Sequence, residues 1–360
     1  MTIARIVADK SLTNLTLAGK AAARYGLTIE RLTKDELVAE ITALPLEERY
    51  RRAKRTLFFT TRKGPFLSTC RCPSGADYRC CGYHTIQSVS GCPFDCSYCI
   101  LQHYIGNNPF ISIFVNRETI ETEMREHLVK HNHIRVGTGE LADSLALDDL
   151  LDESGFFLSM IARNGWEKRV TFEFKTKSDR VDTLIATHQR HPAVDCVAGF
   201  TLTLDRFHAT DEIGTAPVLA RLHAAARCAA AGVRVAFHFD PLVMQEQFLD
   251  DYRLLAAQAL DAVPHEKIAW ISLGGLRHTV SMTDLIRRRW PASTLTLGEM
   301  FPSADDHKLR PFAPLRARFY RAIAETIRKH IPEPPLYLCM EKEFMWERVG
   351  GLKWNHSRSI

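Results

Sequence analysis

Three cysteines in the run Cys92-Pro-Phe-Asp-Cys96-Ser-Tyr-Cys99 stand at CxxxCxxC spacing. Thiolates so placed can ligate three irons of a four-iron, four-sulfur (4Fe-4S) cluster and leave the fourth iron open. A cluster held by four cysteines usually carries electrons, whereas an open iron can bind and activate a second molecule. The spacing therefore predicts an enzyme. Gly91 lets the chain turn out of a short strand, Tyr83 to Ser90, and Tyr98 places an aromatic ring beside the third cysteine. Without a cluster, the same thiols read as a zinc site or as three unrelated buried cysteines.

Positioning such a loop requires a rigid scaffold, and the order of elements supplies one. Strand-like apolar runs fall near Thr85–Val89, Ile134–Gly137, Val170–Phe174, Val197–Thr203, Val233–Phe239, Ile268–Leu273 and Leu336–Met340. Helical patterns lie between them, at Glu118–His131, Asp179–His191, Ala216–Ala231, Gln245–Ala262 and Pro314–Lys329. Alternation of this kind predicts an α/β fold, a partial or complete β/α barrel whose site sits at the C-terminal ends of the strands. Polar residues recur at those ends: Glu140, Lys177, Thr203, His238 and Asp240. In the helix Ala216–Ala231, Leu219, Leu222, His223 and Ala226 share a face, and Gly232 supplies the stop. The expected organisation is a basic, mainly helical extension over residues 1–62, the barrel over 63–342 and a tail over 343–360.

The chain has 360 residues, 46% of them hydrophobic, enough for one large barrel or two smaller domains. It contains no apolar run of membrane-spanning length, and Met1 to Lys20 lacks the apolar stretch of a secretory signal, so a cytoplasmic protein with no membrane partner is expected. Ten cysteines in a reducing compartment predict free thiols rather than structural disulfides. Net charge is only +5, so the distribution of charge carries more information than its sum. From Arg49 to Lys63, seven of fifteen residues are Arg or Lys, with Tyr50, Phe58 and Phe59 among them, and a second run is Arg287-Arg-Arg289-Trp290. Cations interleaved with aromatics suit a phosphate backbone and an unstacked base; the same pattern, preceded by Glu47 and Glu48, also suits a solvated helix face.

The cluster loop and Tyr98 resemble those of the radical S-adenosylmethionine (SAM) superfamily. With Asn108-Pro-Phe-Ile-Ser-Ile-Phe-Val-Asn116, Thr176-Lys177-Ser178-Asp179, Glu212-Ile-Gly-Thr215-Ala-Pro217, Arg221 and Val235–Pro241, the chain resembles the spore photoproduct lyase family from about Lys63 to Met340. The resemblance implies reductive cleavage of SAM, hydrogen abstraction from C6 of a methylene-bridged thymine dimer in DNA, and fragmentation of the bridge. It implies DNA as substrate and a cytosolic electron donor of the flavodoxin or ferredoxin type. It places the cluster on Cys92, Cys96 and Cys99, with SAM lined by Tyr98, Lys177, Thr203 and Arg221, and it matches Glu140 to the residue that receives the SAM amino group. A carboxylate suits an ammonium group in a dry site.

One departure bears on mechanism. The family's hydrogen-donating cysteine belongs in a segment resembling Gly139–Leu145, which here reads Gly-Glu-Leu-Ala-Asp-Ser-Leu and contains no thiol. Tyr98 and Cys339 are the candidate replacements, although Cys339 reads first as a buried small hydrophobe, as free cysteines often are. The missing thiol also leaves room for a different substrate, a peptide, an RNA or a small molecule, and for a binding protein that keeps the cluster as a structural or redox-sensing element. Upstream, Cys70, Cys72, Cys80 and Cys81 could hold a second metal or cluster, or pack as reduced thiols.

Overall fold

The computed structural model describes residues 2–70, 78–104 and 109–352. Its central feature is a curled eight-stranded sheet in the spatial order Leu336–Leu338, Ile268–Gly275, Arg234–Leu242, Asp195–Thr201, Val170–Thr176, Ile134–Gly137, Tyr83–Ile86 and Leu67–Thr69. Neighbours run parallel except at the edge, where Leu67–Thr69 is antiparallel to Tyr83–Ile86. Helices Glu118–Lys130, Glu153–Arg163, Asp182–Arg190, Val218–Ala230 and Leu249–Ala262 connect the strands, as parallel pairing requires, and Ala313–His330 precedes the last strand. The barrel is partial. Its edges meet through an isolated bridge between Tyr78 and Lys342, an Arg79 N–H bond to the Glu341 carbonyl, and the Arg135 Nη2 bond to Tyr337 Oη across the interior at 2.9 Å.

Residue alternation explains the two faces of this sheet. On Val170–Thr176, Phe172 and Phe174 point to the helices, where Phe172 stacks on Phe157 at 4.6 Å between centroids. Glu173 points into the lumen and meets His238 Nε2 at 2.5 Å, while His238 Nδ1 meets Ser272 Oγ at 2.6 Å. Arg135 lies 3.8 Å from Glu173 and 3.8 Å above the Trp270 ring centroid. Gly199 makes the network sterically feasible, because a Cβ there would sit 2.5 Å from a Glu173 carboxylate oxygen. His238, expected among the polar residues of the site, is thus a buried lumen residue.

The segment before the barrel holds more than helices. Arg5–Asp9, Ile29–Leu32 and Thr56–Thr60 form a second sheet, completed by Ile111–Phe114 and Val89–Ser90 from within the region expected to be barrel. The strand expected over Tyr83–Ser90 is therefore divided: Tyr83–Ile86 stays in the barrel, and Val89–Ser90 crosses to this sheet. Helix Leu46–Ala53 packs on it through Tyr50 and Ala53. The expected tail is packed as far as it is described, with Met345, Trp346 and Val349 of helix Glu343–Val349 buried in the main core. In Val218–Ala230 the inward face is Val218, Arg221, Leu222, Ala225 and Cys228, whereas Leu219 is exposed. Among the described residues, no helix is long and apolar enough to cross a membrane.

A group of imidazoles makes stability depend on pH. His84 lies against His127, with 2.9 Å between Nε2 atoms, and His131 completes the group at 4.5 Å from the His127 ring. Burial, with the neighbouring rings next, lowers the pKa of His127 to about 4. The unfolded chain binds a proton there near 6.5 that the folded chain refuses, so this contribution is complete above that pH and is lost as pH falls towards 4. Thermal melts at pH 7 and pH 5 should show a smaller acid-induced fall in Tm for His127→Gln than for the unsubstituted chain. An equal or larger fall contradicts the assignment.

Candidate active site

The three cysteines lie on a loop that leaves the second sheet at Gly91. Gly91 has φ +105°, and a Cβ would approach the Phe110 carbonyl oxygen to 2.8 Å, so glycine is required. Its N–H bonds to the Leu141 carbonyl at 2.8 Å, tying the loop to the segment after Ile134–Gly137. Asp95–Cys96 then pairs antiparallel with Glu212–Ile213, Cys96 opposite Glu212. Ser97 doubles this junction, its N–H donating to the Asp211 carbonyl at 2.8 Å and its Oγ to Asp211 Oδ1 at 2.6 Å. The turn closes with the Cys99 N–H bonded to the Cys96 carbonyl at 3.2 Å and Gln102 Nε2 to the same carbonyl at 3.0 Å.

Burial raises the Cys92 thiol to about 12, with Asp143 adding to the rise and Lys54 opposing it, and holds the Cys96 thiol well above its usual range. Such thiols become ligands when metal replaces their protons. Among the described residues, no three His, Cys, Asp or Glu side chains converge as ligands of a single ion would. A four-iron cluster spreads its cysteines over separate irons, so its ligand set differs from such a convergence.

Behind the loop lies a fully buried ion pair. Arg221 Nη2 donates to the Glu212 carboxylate, and Tyr98 Oη donates to the other Glu212 oxygen. The remaining Arg221 bonds go to Ala216 O at 2.8 Å, Thr201 O at 2.9 Å and Thr215 Oγ1 at 2.8 Å. Arg221 therefore spends its donors inside the chain, with its side chain fully buried, and supports Glu212 rather than lining a pocket. Lys177 Nζ lies 5.5 Å from the Tyr98 ring centroid. Burial lowers the Lys177 pKa, but Glu212 and Cys96 outweigh it and leave the ammonium favoured.

Two further residues expected at the site carry unused polar atoms. Glu140 Oε2 and Thr203 Oγ1 are buried without a hydrogen-bond partner. A buried polar atom without a partner costs about 1–3 kcal/mol, so each fits a position completed by a polar ligand. A carboxylate and a hydroxyl in this state suit the ammonium and polar groups of SAM. The segment carrying Glu140 is held by Asp143, which accepts from Thr176 Oγ1 and the Lys177 N–H, both at 2.7 Å.

Cys339 belongs to another group. It follows Leu336–Leu338, is half-buried, and its Sγ lies 3.9 Å from Arg277 Nη2, while Arg277 grips Asp240 through two bonds of 3.1 Å. Burial, then Asp240, raises the Cys339 thiol to about 12 against the opposing Arg277. Of the upstream cysteines, Cys70 is half-buried, Cys80 exposed and Cys81 buried; Cys72 lies outside the described residues. All nine described cysteines are free thiols.

The basic runs do not form the expected stacking surface. Tyr50, Phe58 and Phe59 are buried, so no base can reach them. Lys54 is buried as well and donates to Phe94 O at 2.5 Å and Cys92 O at 3.3 Å. Arg289 from the second run lies over Tyr50 at 3.7 Å and binds Asp95 at 2.9 Å. Arg51, Arg52, Arg287 and Arg288 remain exposed. Sequence reasoning thus missed Lys54, Asp95, Asp211, Glu212 and Arg289 as supports of the loop. Glu212 alone carried a signal, its place in the Glu212–Pro217 motif.

The cysteine loop set against a curled, mainly parallel sheet has close structural counterparts. A spore photoproduct lyase variant with bound AdoMet and dinucleoside spore photoproduct superimposes with a TM-score of 0.76 at 22% identity, covering 94% of this chain and 98% of that one. A tyrosine-to-phenylalanine variant of a spore photoproduct lyase gives 0.78 at 20% identity, with the same coverage. These likenesses show that the partial barrel with its curled sheet is the fold of those proteins. The profile of the family described as "Spore photoproduct lyase" matches residues 16–308, and the chain belongs to that family. It is 26% identical over 279 residues to the spore photoproduct lyase of Bacillus subtilis (strain 168), spanning 76% of this chain and 77% of that protein. With the spore photoproduct lyase of Geobacillus sp. (strain Y412MC61) it shares 26% over 282 residues, 77% and 78% of the two lengths.

The Glu212 support should be measurable apart from any cofactor. Glu212→Gln leaves Arg221 as a buried unpaired cation and should cost about 3–5 kcal/mol in urea unfolding. A loss under about 1 kcal/mol would show that the pair does not hold the loop.

Proposed function

We propose that this protein is a radical SAM lyase that repairs a thymine photoproduct in DNA. The observation that carries the reading is the pinned CxxxCxxC loop, with unpartnered buried Glu140 and Thr203 oxygens beyond the ends of two strands that flank Val170–Thr176, in a chain of the spore photoproduct lyase family. Relatives whose structures contain AdoMet and a dinucleoside spore photoproduct support SAM and the dimer as ligands.

Cys92, Cys96 and Cys99 would hold the 4Fe-4S cluster, which when bound supplies the electron that cleaves SAM into methionine and a 5′-deoxyadenosyl radical. Glu140 binds the SAM amino group, the Thr203 hydroxyl bonds a polar group beside it, and the Lys177 ammonium neutralises the SAM carboxylate. Arg221 acts through Glu212, which with Asp211 fixes the loop, and Tyr98 is oriented by its bond to Glu212. Repair removes hydrogen from C6 of the dimer, breaks the bridging carbon–carbon bond and returns a hydrogen atom to the product radical. Gly139–Leu145 offers no thiol for that return. Cys339, half-buried at a strand end and held protonated, has the S–H that the step requires; Tyr98 is the second candidate. Exposed arginines, rather than buried aromatics, meet the DNA backbone. A cytosolic one-electron carrier, flavodoxin or ferredoxin, reduces the cluster, and the protein works in the cytoplasm.

The missing thiol favours a second reading, the same radical initiation on a peptide, an RNA or a small molecule. One experiment separates the two. The protein, reconstituted anaerobically, is incubated with SAM, dithionite and dinucleoside spore photoproduct in deuterated buffer, and products are read by mass spectrometry. Thymidine monomers are expected, with deuterium if the donor exchanges with solvent as a thiol does. Formation of 5′-deoxyadenosine with the dimer intact would leave radical initiation and overturn the substrate. Iron and zinc counting on the same preparation reads whether Cys70, Cys72, Cys80 and Cys81 take a second metal.

A further inference from the structure

Lys54 is a buried cation placed against the cysteine loop by a part of the chain outside the barrel. Its side chain is 5% exposed, and its Nζ reaches Phe94 O at 2.5 Å, Cys92 O at 3.3 Å and Asp95 Oδ1 at 3.7 Å. It closes helix Leu46–Ala53, and the same helix contributes Tyr50, whose Oη donates to Gln102 O at 3.0 Å. Arg289, its side chain 4% exposed, binds Asp95 at 2.9 Å and Gln102 Oε1 at 3.1 Å, and pairs with Glu47 of the same helix at 3.3 Å. Asp95 thus shares two buried cations, one of which Glu47 also pairs, and Lys54 is the cation whose ammonium reaches the Cys92 carbonyl.

A burial this complete is not needed merely to shape a loop. Gln102 Nε2, the Ser97 N–H and the pairing with Glu212–Ile213 already fix the loop through bonds to or between backbone groups. Burying a lysine is costly unless its charge is used, because desolvation penalises an ammonium by several kcal/mol. The charge sits on the backbone carbonyls of Cys92 and Phe94, within the loop that carries the ligand thiols, and it opposes the rise that burial and Asp143 impose on the Cys92 thiol. A four-iron cluster on three thiolates carries one net negative charge when oxidised and two after accepting an electron, so a fixed cation beside it favours the reduced form.

We propose that Lys54 is a positioning residue whose buried charge makes the cluster easier to reduce, with Asp95 as the counterweight that limits the effect. This rests on the reading that Cys92, Cys96 and Cys99 hold the cluster. The step it governs is the transfer of one electron from a low-potential carrier to the oxidised cluster; no bond is made or broken and no proton moves.

The test is the midpoint potential of the reconstituted cluster, read by anaerobic spectroelectrochemical titration in the unsubstituted protein and in Lys54→Met, Lys54→Arg and Asp95→Asn. Lys54→Met should shift the reduction equilibrium at least tenfold towards the oxidised form, 59 mV more negative for one electron. Lys54→Arg should restore most of the difference, which a purely steric role would not predict for a bulkier side chain, and Asp95→Asn should move the potential positive. If Lys54→Met fails to hold a cluster, the Asp95→Asn and Lys54→Arg shifts decide the matter. Coincident potentials, or a negative shift in Asp95→Asn, overturn the proposal. An unsubstituted protein that assembles no iron fails earlier and overturns the cluster reading itself.

Discussion

The buried pair between Glu212 and Arg221 is the interaction on which the cysteine loop depends. Two residues of the loop, Asp95 and Cys96, join a two-residue strand that would not persist in water by itself. The strand survives because Glu212 is anchored by Arg221, and Arg221 by the carbonyls of Thr201 and Ala216. The rigidity of the barrel strand Asp195–Thr201 thereby reaches Cys96 through one guanidinium. Tyr98, bonded to the same carboxylate, is carried along. Replacing a buried pair of this kind with apolar residues can be neutral for stability, so its value here lies in fixing geometry.

Polar side chains occupy the barrel interior for a related reason. Glu173, His238, Ser272, Arg135 and Tyr337 come from five different strands and bond or pair with one another across the lumen. They hold the sheet in its curled form although its edges share little backbone pairing. Above them, the ends of the strands are left with polar atoms that the protein does not satisfy itself, Glu140 Oε2 and Thr203 Oγ1.

Much of this was legible in the sequence where the information is local. Ile134–Gly137 is the strand that its apolar run implies, and Asp182–Arg190 and Leu249–Ala262 fall within the expected helices. The cysteine spacing and the strand-end positions of Glu140 and Lys177 were equally visible. What was hidden depends on distant partners. Arg5–Asp9 is a short run whose neighbours, Ile29–Leu32 and Thr56–Thr60, lie far along the chain, so no local period announces the second sheet. The charges of Lys54 and Arg289 could be read, but not their burial: a lysine among arginines resembles a solvated face until the fold covers it. Arg221 shows the converse, a residue of the right type near the site whose donors are consumed before they reach a ligand.

The central claim is that this loop holds a 4Fe-4S cluster with an open iron at which SAM binds. Electron paramagnetic resonance of the reduced, reconstituted protein, recorded before and after adding SAM, tests it most directly. The account predicts a four-iron signal that changes in g values when SAM is added, because a ligand enters at the fourth iron. A signal indifferent to SAM, or a preparation that retains zinc in place of iron, would contradict it.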